Sequence, residues 1–456
     1  MSALVLITSL AVVLGATRSA DAADRGCAAG VFTTRVVAIG GRRLAPLLGQ
    51  PVSALRMWAH EGDVQRAIPF QVDTCGADGR PLVPALGEDP GDRPLGEHSL
   101  LLFVASDAGD RRNGPLPADV AEVQITSDAG GSRWAYLGRG SAPVAPRDDV
   151  DYDPRSDTVR GQRYTVRFHT GYIDFFSVAD AAGRSTPNLV DRWKIRVEAR
   201  ILWGLLRFRR TEEDVHEEVI GYTDGPIRVI RRSRLQTKVG MGLSSPEGIA
   251  DEYFYGDHYG GPSEIRIPFQ LARVFGDVDV RIYLDSPEAH GFRVSAEDHD
   301  AAAVGGSVAD GTQRAGVPRV SWFMLTRADV GVLHRLRLGP TLDAVESELF
   351  YVDDEARADP PEAVVGLRPG VGYRLTNWGS VERGVHEIRT ETYVIDPAEF
   401  SPPDAALSRL SSPVRVAVRS GSPRRDGRAD MGAGPPRHER PSGSAPALAR
   451  QSRKGR

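Results

Sequence analysis

The residue types best suited to chemistry are concentrated in one short segment, residues 251–262. It reads Asp-Glu-Tyr-Phe-Tyr-Gly-Asp-His-Tyr-Gly-Gly-Pro. We interpret it as a glycine-rich loop between strands, a place where binding sites are often carried. Aromatic faces stack on sugar rings and carboxylates accept hydrogen bonds from hydroxyl groups. Tyr253, Tyr255 and Tyr259 are therefore candidate ligand-binding residues.

The same segment contains a candidate acid–base group. Asp257 and His258, with Tyr255 beside them, could supply an acid and a base for hydrolysis or β-elimination of a polysaccharide. A second interpretation stays open, in which the tyrosines cap the core of a sandwich while Asp257 and His258 only shape turns.

Three arginines on a predicted strand form a second candidate site. Arg228, Arg231 and Arg232 follow an Asp-Gly-Pro turn, and guanidinium groups bind carboxylated sugars or anionic polymers through paired hydrogen bonds. The alternative is a solvated strand face whose arginines pair with nearby carboxylates, namely Glu212, Glu213, Glu217 and Glu218.

The sequence lacks the familiar local motifs of catalysis and cofactor binding. It contains no Gly-x-x-x-x-Gly-Lys-Ser/Thr, no Gly-x-Ser-x-Gly and no His-Glu-x-x-His, and its ten histidines are scattered. We therefore predict no cofactor and no sequence-local metal site. The formal net charge is −4, and the basic residues of the tail leave the preceding body more acidic still, which argues against nucleic acid as a partner.

Alternating side chains and turn residues indicate an all-β protein. Residues 192–201 alternate, with Trp193, Ile195 and Val197 on one side and Arg192, Lys194 and Arg196 on the other, which predicts a strand with one solvated face. Many similar segments separated by Gly and Pro follow along the chain. We expect an antiparallel β-sandwich or supersandwich.

Composition divides the chain into five parts. We predict a signal peptide over residues 1–22, a smaller N-terminal β domain over 31–140, a proline-rich acidic linker over 141–160, a large β-sandwich domain over 161–419 and a disordered basic tail over 420–456.

The first residues predict export. An apolar run over residues 3–16 precedes Ala20-Asp21-Ala22, which fits signal peptidase cleavage after Ala22. A membrane anchor is the alternative, but the run is short for a span, and no other segment is apolar enough to cross a bilayer. We expect a periplasmic or extracellular protein without a transmembrane span in its mature form.

Several quoted segments carry a family resemblance. Phe70-Gln71-Val72-Asp73, then Asp107-Ala108-Gly109-Asp110-Arg111, resemble a family of secreted bacterial proteins known as a domain of unknown function. That family is distantly similar to exo-rhamnogalacturonan lyase-like and galactose-mutarotase-like sandwich proteins. The likeness continues through residues 191–194 and 224–232 to about residue 397. It implies a secreted β-sandwich and transfers no catalytic residue.

Two functional hypotheses follow. The first is a carbohydrate-binding or cell-envelope interaction protein without catalysis, whose partner is a glycan or an envelope component. The second is a polysaccharide-acting lyase or hydrolase that uses the segment 251–262.

The two cysteines, Cys27 and Cys75, are expected to pair in an oxidising compartment. The loop that they would close spans about 50 residues, for which chain entropy predicts roughly 3 to 4 kcal/mol of stabilisation. Thiol titration of the unfolded, non-reduced mature protein should find no free thiol. Two free thiols would contradict the bridge.

Overall fold

The computed structural model describes residues 13–14, 35–126, 130–140, 145, 149–201, 205–240, 243–244, 247–267, 269–273, 275–297, 299–303, 320–398, 400, 407, 410 and 414–421. These residues form several antiparallel sheets, which confirms the all-β prediction. Cys27, the predicted cleavage site and residues 422–456 of the predicted tail lie outside the described residues.

A short strand β1 (Val13–Leu14) comes first in the chain. The strands of the first unit are β2 (Val36–Gly40), β3 (Leu55–Glu61), β4 (Val64–Ala67), β5 (Gln71–Asp73), β6 (Leu100–Val104), β7 (Val120–Thr126), β8 (Ser132–Arg139) and the last strand, β28 (Arg415–Ser420). They form two sheets, in the strand orders β2-β6-β5 and β28-β7-β8-β3-β4.

The second unit is larger and begins inside the predicted linker. Its strands are β9 (Val150–Asp153), β10 (Thr158–Gly161), β11 (Tyr164–His169), β12 (Tyr172–Val178), β13 (Arg192–Ile201), β14 (Leu206–Thr211), β15 (Val215–Asp224), β16 (Arg228–Gly240), β17 (Leu243–Ser244), β18 (Gly248–Tyr255), β19 (His258–Ile267), β20 (Phe275–Asp285), β21 (Arg293–Ala296), β22 (His299–Ala303), β23 (Trp322–Thr326), β24 (Gly331–Leu338), β25 (Glu346–Asp354), β26 (Leu367–Thr376) and β27 (Gly384–Ile395).

One long sheet, β15-β16-β18-β19-β27-β24-β23-β21-β22, packs against two others, β14-β13-β20-β26-β25 and β12-β11-β10-β9. The last strand, β28 (Arg415–Ser420), pairs with β7 of the first unit, although we placed it in the large domain. Among the described residues, short 3₁₀ turns lie at Gly41–Leu47, Val52–Ala54, Ala105–Asp107, Glu212–Asp214, Leu271–Arg273, Pro340–Leu342 and Trp378–Ser380, and Leu407 and Leu410 are α-helical.

Strand β6 explains how the two units pack. Leu101 and Phe103 point into the core of the first unit, whereas Leu100 and Leu102 pack against the outer face of the long sheet. A strand buried on both faces is apolar at successive positions, as this one is. The sheets therefore stack in layers, with β6 in the layer that joins the units.

Arg228 forms a buried ionic contact between the units. Its side chain is fully buried, and its Nε and Nη2 donate to Asp73 Oδ2 at 2.7 and 2.6 Å. Gln71 Oε1 accepts hydrogen bonds from the backbone N–H groups of Ile227 and Arg228. Gln71 and Asp73 belong to the Phe-Gln-Val-Asp motif and Arg228 follows the Asp-Gly-Pro turn. The two motifs of the resemblance therefore contact each other.

A glycine in that turn permits this approach. A Cβ atom at Gly225 would lie 2.4 Å from the side chain of Gln71, well inside van der Waals contact. Glycine is therefore required here by the close approach of a neighbouring side chain.

Strand β13 has the predicted bounds, but the first half of its charged face is buried. Lys194 and Arg196 are fully buried, so the prediction of a solvated face is wrong there, whereas Glu198 and Arg200 further along the same face are exposed. Lys194 Nζ lies 2.6 Å from Asp285, and Arg196 contacts Glu212 and Asp359. Buried cations need charged partners. Here the turn after β14 supplies Glu212, and the segment between β25 and β26 supplies Asp359.

Breaking the ion pair between the units should destabilise the protein strongly. Arg228→Met leaves the Asp73 carboxylate buried and unpaired, which typically costs roughly 3 to 5 kcal/mol. The control is Arg234→Met on the same strand, since Arg234 pairs with Glu218 at the surface and its loss should cost at most about 1 kcal/mol. Urea unfolding measures both, and equal losses would contradict this account.

Candidate functional site

The segment 251–262 is a β-hairpin, not the predicted loop. Strand β18 ends at Tyr255, Gly256 and Asp257 form the turn, and β19 begins at His258. Tyr253, Tyr255 and Tyr259 are only 3%, 1% and 8% exposed. Stacking on a sugar needs an exposed ring, so these three rings are not placed for the stacking we predicted.

The structure brings the predicted acid–base residues together, but in the interior. His258 Nδ1 lies 2.6 Å from Asp257 Oδ1, and the imidazole stacks on Tyr255 with ring centres 4.4 Å apart. Burial opposes ionisation of Asp257, yet His258 and Arg35 outweigh it and hold its pKa well below the usual range. His258 is 1% exposed and does not line the cavity described below. The acid–base role of this group stays a prediction that the burial disfavours.

The three candidate arginines are each bound to carboxylates of the same chain. Arg228 holds Asp73, and Arg232 pairs with both oxygens of Asp251 at 2.6 and 2.8 Å. Arg231 is 1% exposed and contacts three carboxylates. The alternative of pairing with nearby carboxylates is closer to the structure, except that the pairs of Arg228 and Arg231 are buried rather than solvated.

Strands β18 and β19 separate soon after their turn. Among the described residues their ladder has two register pairs, Tyr253 with Gly260 and Phe254 with Tyr259. Gly260 adopts a φ of +150°, and a Cβ there would lie 2.1 Å from the Thr390 carbonyl oxygen. Pro262 has no N–H to donate across a ladder. The Gly-Gly-Pro sequence therefore lets β19 diverge from β18 while it remains paired with β27.

A cavity of about 320 Å³ lies between the layers beside this divergence. Its apolar wall comes mainly from β13, β20 and β19, through residues such as Ile195, Ile282 and Ile265. Trp193 and Tyr172 also line the cavity, and both side chains are half-buried. The Arg192 guanidinium lies 4.5 Å from the centre of the Tyr172 ring, and His334 makes a T-shaped contact with Trp193. Of the hairpin tyrosines, Tyr259 also lines the cavity, at 8% exposure.

An acidic group forms the polar part of the cavity wall. Glu217 and Glu252 line the cavity, and both contact Nη1 of Arg231, with Glu252 Oε2 at 2.6 Å. Asp157 holds the other side of the guanidinium, with Nη2 to Oδ2 at 2.7 Å, and the ring of Phe168 lies 4.2 Å beneath it. We call Arg231, Asp157, Glu217 and Glu252 the acidic cluster. Its carboxylates outnumber its guanidinium three to one.

This imbalance changes the protonation of Glu252. Burial raises its pKa, Arg231 opposes the rise, and the neighbouring Glu217 and Asp157 add to it, so that the pKa reaches about 7. The side chain is 36% exposed, and because it lines the cavity we assign that exposure to the cavity. Near neutral pH the folded protein therefore holds Glu252 partly protonated.

No local sequence pattern joins the members of this site. Asp157, Glu217, Arg231 and Glu252 come from four separate places along the chain, and Trp193 looked like an ordinary core residue of an alternating strand. Glu252 lies inside the segment 251–262 that we singled out, and Glu217 was named as a partner of the arginines. The pairing of β15, β16 and β18 brings Glu217, Arg231 and Glu252 together, and the turn between β9 and β10 adds Asp157.

No set of three or more His, Cys, Asp or Glu side chains is arranged to hold a metal ion in the described part of the chain. No helix there combines the length and the apolar character needed to cross a membrane.

Comparisons with known proteins give a distant likeness of structure. No protein-family model matches the chain, and no curated protein matches it in sequence. The structure is similar to an alpha-mannosidase from Enterococcus faecalis V583, at 10% identity and a TM-score of 0.42 over 86% of this chain and 45% of that one. It is also similar to a glycosyl hydrolase family 38 protein from Enterococcus faecalis, at 9% identity and a TM-score of 0.44 over 81% and 42%.

The chain spans less than half the length of both proteins, and similarity at this level does not transfer an activity. The family resemblance inferred from the sequence motifs stays a prediction.

The raised pKa of Glu252 predicts a pH dependence of stability. Between about pH 5 and 7 the folded state holds a proton that the unfolded chain, with its ordinary pKa of 4.5, has released. The free energy of unfolding should therefore fall as pH rises through this window, and Glu252→Gln should remove that part of the fall.

Urea unfolding at pH 5, 6, 7 and 8 measures the difference between wild type and variant. Glu247→Gln is the control, because Glu247 is a surface residue that is 61% exposed. Parallel curves for wild type and Glu252→Gln would contradict the assignment.

Proposed function

We propose that this protein is a carbohydrate-binding protein whose site is the cavity between the layers. The observation that carries the proposal is the combination of half-buried aromatic rings, Trp193 and Tyr172, with cavity-lining carboxylates, Glu217 and Glu252. Rings pack on the apolar faces of a sugar, and carboxylates accept hydrogen bonds from its hydroxyl groups. This is the chemistry that we predicted for the segment 251–262, which contributes Glu252 and Tyr259, whereas Trp193, Tyr172 and Glu217 come from other strands.

The apolar wall limits which glycans would fit. Ile195, Val280 and Ile282 offer no hydrogen bonds, so a ligand that placed only hydroxyl groups against them would lose hydration without compensation. A glycan with an apolar substituent, such as an acyl or aryl group, would bury that group here and leave its hydroxyls near the acidic cluster. Such ligands belong to the envelope as well as to polysaccharides.

A hydrolase acting at the same cavity is the second candidate. Glu252 is raised to a pKa of about 7 beside a second carboxylate, Glu217, and a pair of carboxyl groups with different proton affinities is what glycoside hydrolysis uses. In this role Glu252 would protonate the leaving oxygen and Glu217 would act as base or nucleophile. Glu217 Oε1 and Glu252 Oε2 are both held by Nη1 of Arg231, which favours a binding role over a catalytic one.

Export is part of the proposal. The apolar run over residues 3–16 with its small-residue cleavage pattern supports a periplasmic or extracellular protein, and the expected bridge of Cys27 and Cys75 suits that compartment. Cys75 is buried at 6% exposure, as bridged and unbridged cysteines both commonly are.

Replacing the ring of Trp193 tests the site directly. Trp193→Leu keeps an apolar side chain but removes the flat ring, which typically contributes about 0.5 to 1.5 kcal/mol beyond area burial. Affinity for the best ligand from an array of neutral, acidic and acylated glycans should fall about two- to tenfold, measured by isothermal titration calorimetry. Trp134→Leu, on β8 of the first unit and also half-buried, should leave affinity unchanged.

The same ligand separates the two candidates. Incubation with wild-type protein followed by product analysis should show intact glycan, whereas cleavage that Glu252→Gln slows by about a hundredfold or more would favour the hydrolase. A folded Trp193→Leu variant with wild-type affinity, or an array without any bound glycan, would overturn the proposed function.

A further inference from the structure

The hairpin of β13 and β14 ends in exposed apolar side chains. Strand β14 lies at the edge of its sheet, and its ladder with β13 finishes at the pair of Ile201 with Leu206. Leu205, immediately before β14, is 80% exposed, and Leu206 is 50% exposed. Neither lines the cavity. Single exposed leucines are ordinary, but two in succession at the end of a hairpin form an apolar projection that the described residues leave uncovered.

Three arginines lie beside these leucines on the same hairpin. Arg200 and Arg207 form a register pair directly across the two strands, and Arg209 follows two positions along β14. All three side chains are exposed. Arg207 forms no ion pair with any residue that the structure describes. Like charges directly opposite each other destabilise a strand pair, so the stability of the fold gains nothing from this arrangement.

Nearby carboxylates balance these positive charges only in part. Arg200 lies 3.6 Å from Asp277, whose side chain is 77% exposed. Arg209 lies 3.2 Å from Asp359 and 3.9 Å from Glu198. Ion pairs between exposed side chains are weak. The end of the hairpin therefore keeps a positive surface on a chain whose formal net charge is −4.

Apolar side chains beside basic ones suit the surface of an anionic bilayer. The leucines would enter the boundary between headgroups and acyl chains, while the arginines kept their guanidinium groups at the lipid phosphates. Each basic residue close to an anionic membrane surface adds affinity. We propose that the end of the β13–β14 hairpin, formed by Leu205, Leu206, Arg200 and Arg207, docks on the surface of an anionic lipid bilayer.

The two faces of β14 separate this docking surface from the cavity. Phe208 and Arg210 line the cavity, and because side chains alternate along a strand, Arg207 and Arg209 point to the opposite face. A docked bilayer would lie at the end of a strand that also lines the cavity. Transfer of an acylated ligand from that bilayer to the cavity would rest on the proposed function, whereas the docking itself does not.

A fluorescent label on the hairpin reports docking without any glycan. The full chain carries Leu205→Cys modified with a nitrobenzoxadiazole group, whose emission rises in an apolar environment, and the parent chain treated in the same way is the blank. Vesicles of phosphatidylcholine, alone or mixed with phosphatidylglycerol, are then added.

The matched control carries the same label at Val365→Cys. Val365 is also an exposed apolar residue, at 63%. It lies near the opposite end of β13, because the backbone N–H of Ala363 donates to Asp191, the residue before that strand, at 2.9 Å. This control separates docking by the hairpin from membrane association through another part of the chain.

The hairpin label should respond to the anionic vesicles alone. We expect its emission to rise about twofold or more on vesicles with phosphatidylglycerol, and the control label to stay unchanged. Arg200→Gln with Arg207→Gln in the chain with the hairpin label should weaken vesicle affinity about tenfold or more. Arg42→Gln with Arg160→Gln, which removes two exposed arginines elsewhere, should leave that affinity unchanged.

An unchanged hairpin label on anionic vesicles would overturn the docking, as would equal responses of the two labels. Equal affinity for neutral vesicles, or equal losses in the two arginine variants, would overturn the recognition of anionic lipid by this hairpin. A glycan array without any bound glycan, together with the expected vesicle response, would count against the proposed function and leave the docking supported.

Discussion

The buried ion pair of Arg228 with Asp73 is the constraint on which the rest of the arrangement depends. It fixes β16 against the first unit, with Gln71 holding the adjacent backbone. Side chains alternate along a strand, so a residue three positions further on must point to the opposite face. That residue is Arg231, which lies between the layers beside the cavity. The contact that joins the two units therefore also sets the direction of the guanidinium around which the acidic cluster forms.

Buried charged side chains are paired with opposite charges in several places in the structure. A charged group that leaves water needs a charged or hydrogen-bonding partner, and the chain supplies these partners from distant segments: Asp73 for Arg228, Asp285 for Lys194, and Glu212 with Asp359 for Arg196. At the acidic cluster three carboxylates surround one arginine, so negative charge is in excess. Burial and, after it, the neighbouring carboxylates raise the pKa of Glu252, which lines the cavity. The cluster differs from the internal ion pairs named above in that two of its carboxylates line a cavity.

The sequence was sufficient for the sheet architecture and insufficient for the site. Alternation gave β13 its correct bounds, because a period of two is a local property of the chain. The same alternation gave the wrong environment for Lys194 and Arg196, since the segment that covers them lies more than 150 residues away. The segment 251–262 was misread as a loop because its glycines suggested turns, whereas Gly260 and Gly261 serve close packing and strand divergence. Glu252 was within reach of sequence reasoning, but its partners Asp157 and Glu217 were joined to it only by the fold.

The central claim is that a glycan enters the cavity beside Trp193. The most direct measurement is the NMR spectrum of the tryptophan indole N–H groups, of which the chain has six, during titration with the best glycan from the array. A glycan in the cavity should progressively shift the Trp193 resonance, assigned by its absence in Trp193→Leu, with little change at Trp134 in the first unit. A saturable glycan interaction that leaves the Trp193 resonance unmoved and shifts another tryptophan would place the site elsewhere and contradict binding in the cavity.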